Sequence, residues 1–418
     1  MQSKDRKEKM KGSEKEDQRK KKITEIKTFS VPFALGEIKE NTSIATKNES
    51  KLSKEQIINQ AFKFHSQGNI PEAAKYYQYF INQGFKDHRV FSNYGIILKN
   101  LGKLQEAEIS LRKAIELDPN CAESHFNLGK TLKNHGKLQE AENSIRKAIE
   151  LNPDYVDAHL TLGMILSDIG KSQEAFDSYL NVIEIDQCIS SVYPIIARFL
   201  RNSDPSKLNE SQLKYILNLL LEKNEIPHKE LFKAFHFLYS NKIINNLKKF
   251  QTESFQEKSF QLFIKDKIIN NALRKITFRE IRLEKILTKT RKKLSYLISK
   301  DKRKLEGSTL NFLIALGEQC FLNEYIFSLT EEEKISLNTI INRCVDGELN
   351  ETNISILSCY YPLYKLLDSI SSLKSFYSRN QNFKELIRFQ ILEPLKEIEL
   401  SKNIKKLGPI NDKVSQKV

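Results

Sequence analysis

From about Lys54 to Ile189 the apolar and polar positions recur with a step of 34 residues, the period of a repeated helical hairpin. Small residues stand at Ala61, Gly95, Gly129 and Gly163, and a second small position reads Ala73, Ala107, Ala141 and Ala175. Large apolar residues recur at Phe64, Leu98, Leu132 and Leu166, and again at Tyr77, Leu111, Ile145 and Tyr179. Small residues let two antiparallel helices approach closely, while the large ones fill the groove between neighbouring pairs. Turn glycines keep the same step at Gly68, Gly102, Gly136 and Gly170. Pro119 and Pro153 end the second helix of their hairpins, because proline has no amide hydrogen to continue one. The spacing predicts hairpins at 54–87, 88–121, 122–155 and 156–189, the first divergent in carrying Phe85 where the later proline stands. Tyr193, Ile196, Ala197 and Leu200 mark a degenerate fifth unit over 190–205.

The stretches NYGIILKNLGKLQEAEISLRKAIELDP and NLGKTLKNHGKLQEAENSIRKAIELNP resemble consecutive tetratricopeptide repeats. The aromatic usual near the start of each first helix departs, being Phe91, His125 and His159 here. The resemblance covers about a third of the chain and implies an all-α superhelical solenoid, a fold that hosts many adaptors.

Beyond Pro205 the repeat is lost but helical patterning continues. Asn209–Lys223 and Lys229–Lys249 are amphipathic, and Leu310–Leu329 is apolar enough to be buried. Thr330 with Glu333 forms a capping box for the next helix, which Gly347 closes. Helical segments over Ile354–Phe376 and Phe383–Leu400 follow, with breaks or kinks at Pro362 and Pro394. Residues 206–418 therefore read as a second, non-repeating helical domain. Segments such as IPHKELFKAFHFLY, LNFLIALGEQCFLNEYIFSLTEEE and LEPLKEIELSKNIKKLGPIND resemble the helical middle region of bacterial proteins that fuse these repeats to a methyltransferase domain. In such fusions the S-adenosylmethionine-binding domain comes next, and this sequence ends at Val418, where that domain would begin.

The opening 1–53 is charged and poor in apolar groups, so it has little to bury against its ordering entropy and reads as a disordered basic tail. Its one apolar island, Phe29–Leu35, is a sticky linker or a short docking motif. The net charge of +15 is concentrated in 242–304, where nineteen basic residues face six acidic ones. That balance fits a nucleic-acid or acidic partner, or simply a Lys-, Ile- and Asn-rich chain with solvated helix faces. Cys121, Cys188, Cys320, Cys344 and Cys359 are odd in number and form no CxxC pair, as expected of free thiols in a cytoplasmic protein. No apolar run reaches the roughly 18 residues of a spanning helix, and no secretory signal is apparent.

Catalytic patterns are missing. The 14 glycines form no GxG, so there is no Gly-rich cofactor turn, and no phosphate loop, GxSxG elbow or HExxH appears. No Cys/His spacing suits zinc. His125 and His159, a repeat apart, read as framework residues. The sequence points to a non-enzyme without cofactor or metal.

The candidate binding surface lies on the first helix of each hairpin. Asn59, Asn93 and Asn127 share one repeat position, with Thr161 at the fourth. Residues at i−4, i+3 and i+7 share that stripe. In the second hairpin it reads Arg89, Asn93, Ile96 and Asn100; in the third Glu123, Asn127, Lys130 and Asn134; in the fourth Asp157, Thr161, Met164 and Asp168. An asparagine amide is both donor and acceptor, as an extended peptide backbone requires. The repeats of O-linked N-acetylglucosamine transferases resemble this arrangement. The alternative is that asparagine merely tolerates a polar, crowded helix face.

A second patch, Arg282, Lys285, Lys289, Lys292 and Lys293, lies opposite the apolar side of one helix, with only Phe278 and Tyr296 near it for base stacking. A solvated helix face accounts for it as well as phosphate binding does. The expectation is a scaffold that binds a protein or extended peptide on the concave repeat surface. The alternatives are the substrate-recruiting part of a methyltransferase or glycosyltransferase system, with a separate methyltransferase chain as partner, and nucleic-acid binding through 242–304.

Overall fold

The computed structural model describes residues 52–403 except 187, 253–257, 302–303 and 326–328. The expected tail with its Phe29–Leu35 island, and everything from 404, lie outside the described residues. The described residues are all-α, with no strand among them. They fall into two compact units, one ending at Asn120 and the other beginning at Cys121.

The first unit holds two helical hairpins, α1 (Lys54–Ser66) with α2 (Ile70–Asn82) and α3 (His88–Asn100) with α4 (Leu104–Leu117). Three of the four starts have a side chain that takes up an orphan amide. Ser53 and Gln56 make a reciprocal capping box at α1, while Asn69 and Asp87 accept from the first turns of α2 and α3. Ile57, Ala61, Ala73, Tyr77 and Phe80 form the core of the first hairpin and its junction with Val90 and Ile97 of α3. The α1–α2 and α3–α4 turns run through Gly68 and Gly102, at φ of 74° and 78°, a left-handed backbone that side chains with a Cβ resist.

The second unit opens with two more hairpins, α5 (Ala122–Asn134) with α6 (Leu138–Leu151) and α7 (Val156–Asp168) with α8 (Ser172–Ile185). The small and large positions meet as the period predicts. A Cβ on Gly129 would lie 2.5 Å from Ile145 Cδ1, and one on Gly163 would lie 2.5 Å from Tyr179 Cε1. The glycines set the helix spacing, and the large residues close it. α9 (Val192–Asn202) continues the stack, with Tyr193, Ile196, Ala197 and Leu200 all buried.

The non-repeating helices are α10 (Glu210–Glu222), α11 (Phe232–Thr252), α12 (Lys258–Ile264), α13 (Lys267–Lys275), α14 (Ile281–Lys300), α15 (Gly307–Leu322), α16 (Glu331–Val345), α17 (Glu351–Leu357), α18 (Gln381–Ile387) and α19 (Glu393–Asn403). At their centre α15 is buried almost all round, from Leu310 through Cys320. Gly317 lets α17's end approach, since a Cβ there would collide with Ser358 Oγ. The Thr330/Glu333 capping box is present, and Gly347 ends α16 at φ 96°.

One expectation changes, and the break expected at Pro394 takes a specific form. The helix expected over Ile354–Phe376 stops at Leu357 and gives way to 3-10 turns at Leu363–Leu366 and Ser371–Ser375. Pro362 has no amide to offer a helix, and the serines around Ile370 compete for backbone bonds. The segment expected over Phe383–Leu400 is interrupted by a π-helical turn, Arg388–Leu392, just before Pro394. All five cysteines are free thiols. No helix among the described residues is long and apolar enough to cross a membrane.

Candidate functional site

The stripe residues sit on first helices, with unequal surroundings. In the first unit Asn59, Arg89 and Asn100 are exposed and Asn93 is half-buried. Arg89 is engaged locally: its Nη2 lies 2.9 Å from Asp87 Oδ2, and its guanidinium lies 5.4 Å from the Phe62 ring centre. Asn93 Nδ2 donates to Tyr77 Oη at 3.3 Å. The same hydroxyl lies 2.9 Å from His65 Nδ1. Burial pushes the Tyr77 phenol up to about 12, with the bond from Asn93 acting the other way. Burial also lowers His65, whose Nδ1 shares the Tyr77 hydroxyl with the Asn93 amide.

In the second unit Lys130, Asn134 and Asp168 are exposed and Thr161 is half-buried. Asn127 is only 7% exposed. Its Nδ2 has no hydrogen-bond acceptor among the described residues. The ammonium of Lys130 lies over the Phe126 ring, 5.1 Å from its centre. Asp168 meets Lys133, 3.8 Å away, across α5 and α7. The same repeat position therefore holds an amide satisfied internally at Asn93 and an unsatisfied one at Asn127. Sequence periodicity made these two residues equivalent, and only the Tyr77 hydroxyl in the first unit signals the difference.

The basic patch lies on α14, and much of its charge is spent at home. Arg282 Nε meets Glu280 Oε1 at 2.8 Å, and Lys292 meets Glu332 at 2.6 Å. Lys293 donates to the Phe250 carbonyl and stacks on that ring, 4.5 Å from its centre. Lys285 and Lys289 are exposed and have no ion pair among the described residues.

Two charged clusters escaped the sequence reading. On α14 the guanidinium of Arg291, 1% exposed, points inward rather than with its basic neighbours. Its Nη2 lies 3.6 Å from Glu333 Oε1, its Nη1 donates to the Cys359 carbonyl at 3.3 Å, and it stands 4.1 Å from the Tyr360 ring centre. Tyr360 Oη donates to the same Glu333 oxygen at 2.9 Å. Between α6 and α8, buried Glu142 receives Arg146 and Lys171, each at 2.9 Å, and Arg146 reaches on to Glu174 at 2.6 Å. Burial works to raise the Glu142 carboxyl, but the bonds and charges of Lys171 and Arg146 hold it below the usual range. Both clusters organise the fold; neither offers a nucleophile beside a base.

Tetratricopeptide-repeat family profiles match residues 122–155 and 145–177, and a TPR-repeat profile matches 95–136. Among solved structures, the chain is similar to MamA, at 25% identity over 40% of this chain and 94% of that one, with a TM-score of 0.35. YrrB, described as a TPR protein with an unusual peptide-binding site, is 21% identical over 34% of this chain and 72% of its own, with a TM-score of 0.32. The O-GlcNAc transferase of Thermobaculum terrenum is 23% identical over 31% of this chain and 26% of its own, with a TM-score of 0.30. No curated protein matches. The hairpins across residues 95–177 are tetratricopeptide repeats.

Proposed function

We propose that this chain is a protein-interaction scaffold whose first-helix stripes take up an extended peptide. The observation that carries the reading is Asn127. A buried amide without an acceptor costs on the order of 1–3 kcal/mol, and a peptide carbonyl arriving beside it would recover that cost. Exposed Glu123, Lys130 and Asn134 flank it on α5 and supply side-chain selectivity. Asn59, Asn93 and Thr161 hold the matching positions of the other repeats, with Asn93 contributing less while it remains bonded to Tyr77.

The test is to select binders from a random peptide library and measure their affinity for three variants of the full chain. Asn127→Ala is expected to weaken binding about tenfold, Asn93→Ala less, and Lys285→Ala/Lys289→Ala not at all. Unaltered affinity in a folded Asn127→Ala chain refutes the reading.

A second reading makes 206–418 the recruiting part of a methyltransferase system. It rests on that region's resemblance to the helical middle of repeat–methyltransferase fusions, and co-purification of a methyltransferase chain tests it. Nucleic-acid binding is left with Lys285 and Lys289 as its free cations in the α14 patch, and filter retention that falls with salt would be its signature.

A further inference from the structure

The second unit carries a groove along α6, α7 and α8 that the stripe does not use. It consists of two adjoining hollows, about 460 and 490 Å³, that share His159 and Asn181. His159 is 7% exposed and its Nε2 lies 2.8 Å from the Pro153 carbonyl. A carbonyl only accepts, so Nε2 carries the hydrogen, and in that tautomer Nδ1 is left as the acceptor. That Nδ1 is buried and meets no donor among the described residues. The repeat-framework role expected of this histidine therefore uses one ring nitrogen and leaves the other unused.

The surroundings indicate what would satisfy it. The lining holds Glu150, Asp154, Glu174, Asp177 and Glu184 against one guanidinium, Arg146. Arg146 is held by Glu142 and Glu174, Glu150 is paired with Lys147, and Asp177 accepts from Gln173 and Gln212. Asp154 and Glu184 are exposed, and neither has a hydrogen bond or ion pair among the described residues. An acceptor lacking a donor, beside two unspent carboxylates, matches a cationic donor. Two joined hollows exceed a single ion in size and suit an elongated chain. The chain as a whole is at +15, so it repels a basic ligand at long range, and attraction has to come from this local acidity.

We propose that the α6–α8 groove binds a basic peptide segment, one lysine or arginine donating to His159 Nδ1 while neighbouring cations meet Asp154 and Glu184. The site is separate from the first-helix stripe and does not depend on it.

The experiment uses the full chain and a fluorescein-labelled eight-residue peptide of alternating lysine and alanine, read by anisotropy. The same peptide with every lysine acetylated is the comparison. The lysine peptide is expected to bind at least tenfold more tightly than the acetylated one. Asp154→Asn/Glu184→Gln, which changes only exposed positions, is expected to lose about tenfold, and His159→Phe a comparable amount if it folds. Asn127→Ala is expected to bind as the unaltered chain does. Equal binding of the two peptides overturns the proposal, as does full binding by the Asp154→Asn/Glu184→Gln chain. Loss confined to Asn127→Ala also overturns it and moves the peptide to the stripe.

Discussion

Replacing Gly163 by alanine sets two effects of known size against each other at one atom. The new Cβ would lie 2.5, 2.7 and 2.9 Å from Cε1, Cδ1 and Cζ of Tyr179. Those atoms belong to one rigid ring, which is 2% exposed and backed by Phe199 at 5.4 Å between ring centres. It cannot yield as a flexible chain end would. Overpacking of this kind costs about 1–3 kcal/mol. Alanine returns about 0.8–1 kcal/mol over glycine in a helix interior. The clash wins, and Gly163→Ala is expected to destabilise the second unit by about 1 kcal/mol. In a Tyr179→Ala background the clash is gone and propensity alone remains. There the same substitution is expected to stabilise by about 0.5–1 kcal/mol. Urea unfolding followed by far-UV circular dichroism of the four chains measures both steps. A stabilising Gly163→Ala in the unaltered chain, or the same sign in both backgrounds, refutes the argument.

The Glu142 cluster makes a pH prediction. Its carboxyl is held low in the folded state, so its contribution is complete above the unfolded value, near 4.3, and fades as pH falls through the folded one. Glu142→Gln is expected to cost about 1–2 kcal/mol at pH 7, since Arg146 and Lys171 are nearly half exposed, and to cost little at acid pH. Melting temperatures of both chains across pH 2–7 check this; curves that stay parallel throughout would contradict it. Arg291→Met strands Glu333 in the interior and is expected to cost about 3–5 kcal/mol. Adding Glu333→Gln, which can still cap α16, is expected to recover much of the loss in urea titrations.

The repeating half was legible because one structural reason recurs at each 34-residue step. Gly129 and Gly163 had to be small where Ile145 and Tyr179 are large, and Gly68 and Gly102 had to turn left-handed. Thr330, Glu333 and Gly347 were equally readable, since caps are local. What depended on distant partners was not. Arg291 lies four residues after Leu287 and three before Leu294, so helical spacing already put it on the apolar side of α14. Its counter-charge, Glu333, comes from another helix, and nothing local announced it. Asn93 and Asn127 looked alike because periodicity compares positions, whereas Tyr77 decides which amide is spent. The segment expected over Ile354–Phe376 broke near Pro362 as expected, but it did not resume as an α-helix beyond it, where the serines around Ile370 leave only 3-10 turns.

Glu333 has a consequence for motion. A helix start ordinarily frays at almost no cost in free energy, because its first amides open onto water. At α16 one oxygen of Glu333 accepts from the Thr330 amide, and the other receives Tyr360 and faces Arg291. Unwinding that turn withdraws the negative charge from a guanidinium sealed in the interior. The entrance to α16 is thereby tied to the core, and its backbone amides should exchange with solvent on the slow timescale of the core rather than the fast one of a helix end.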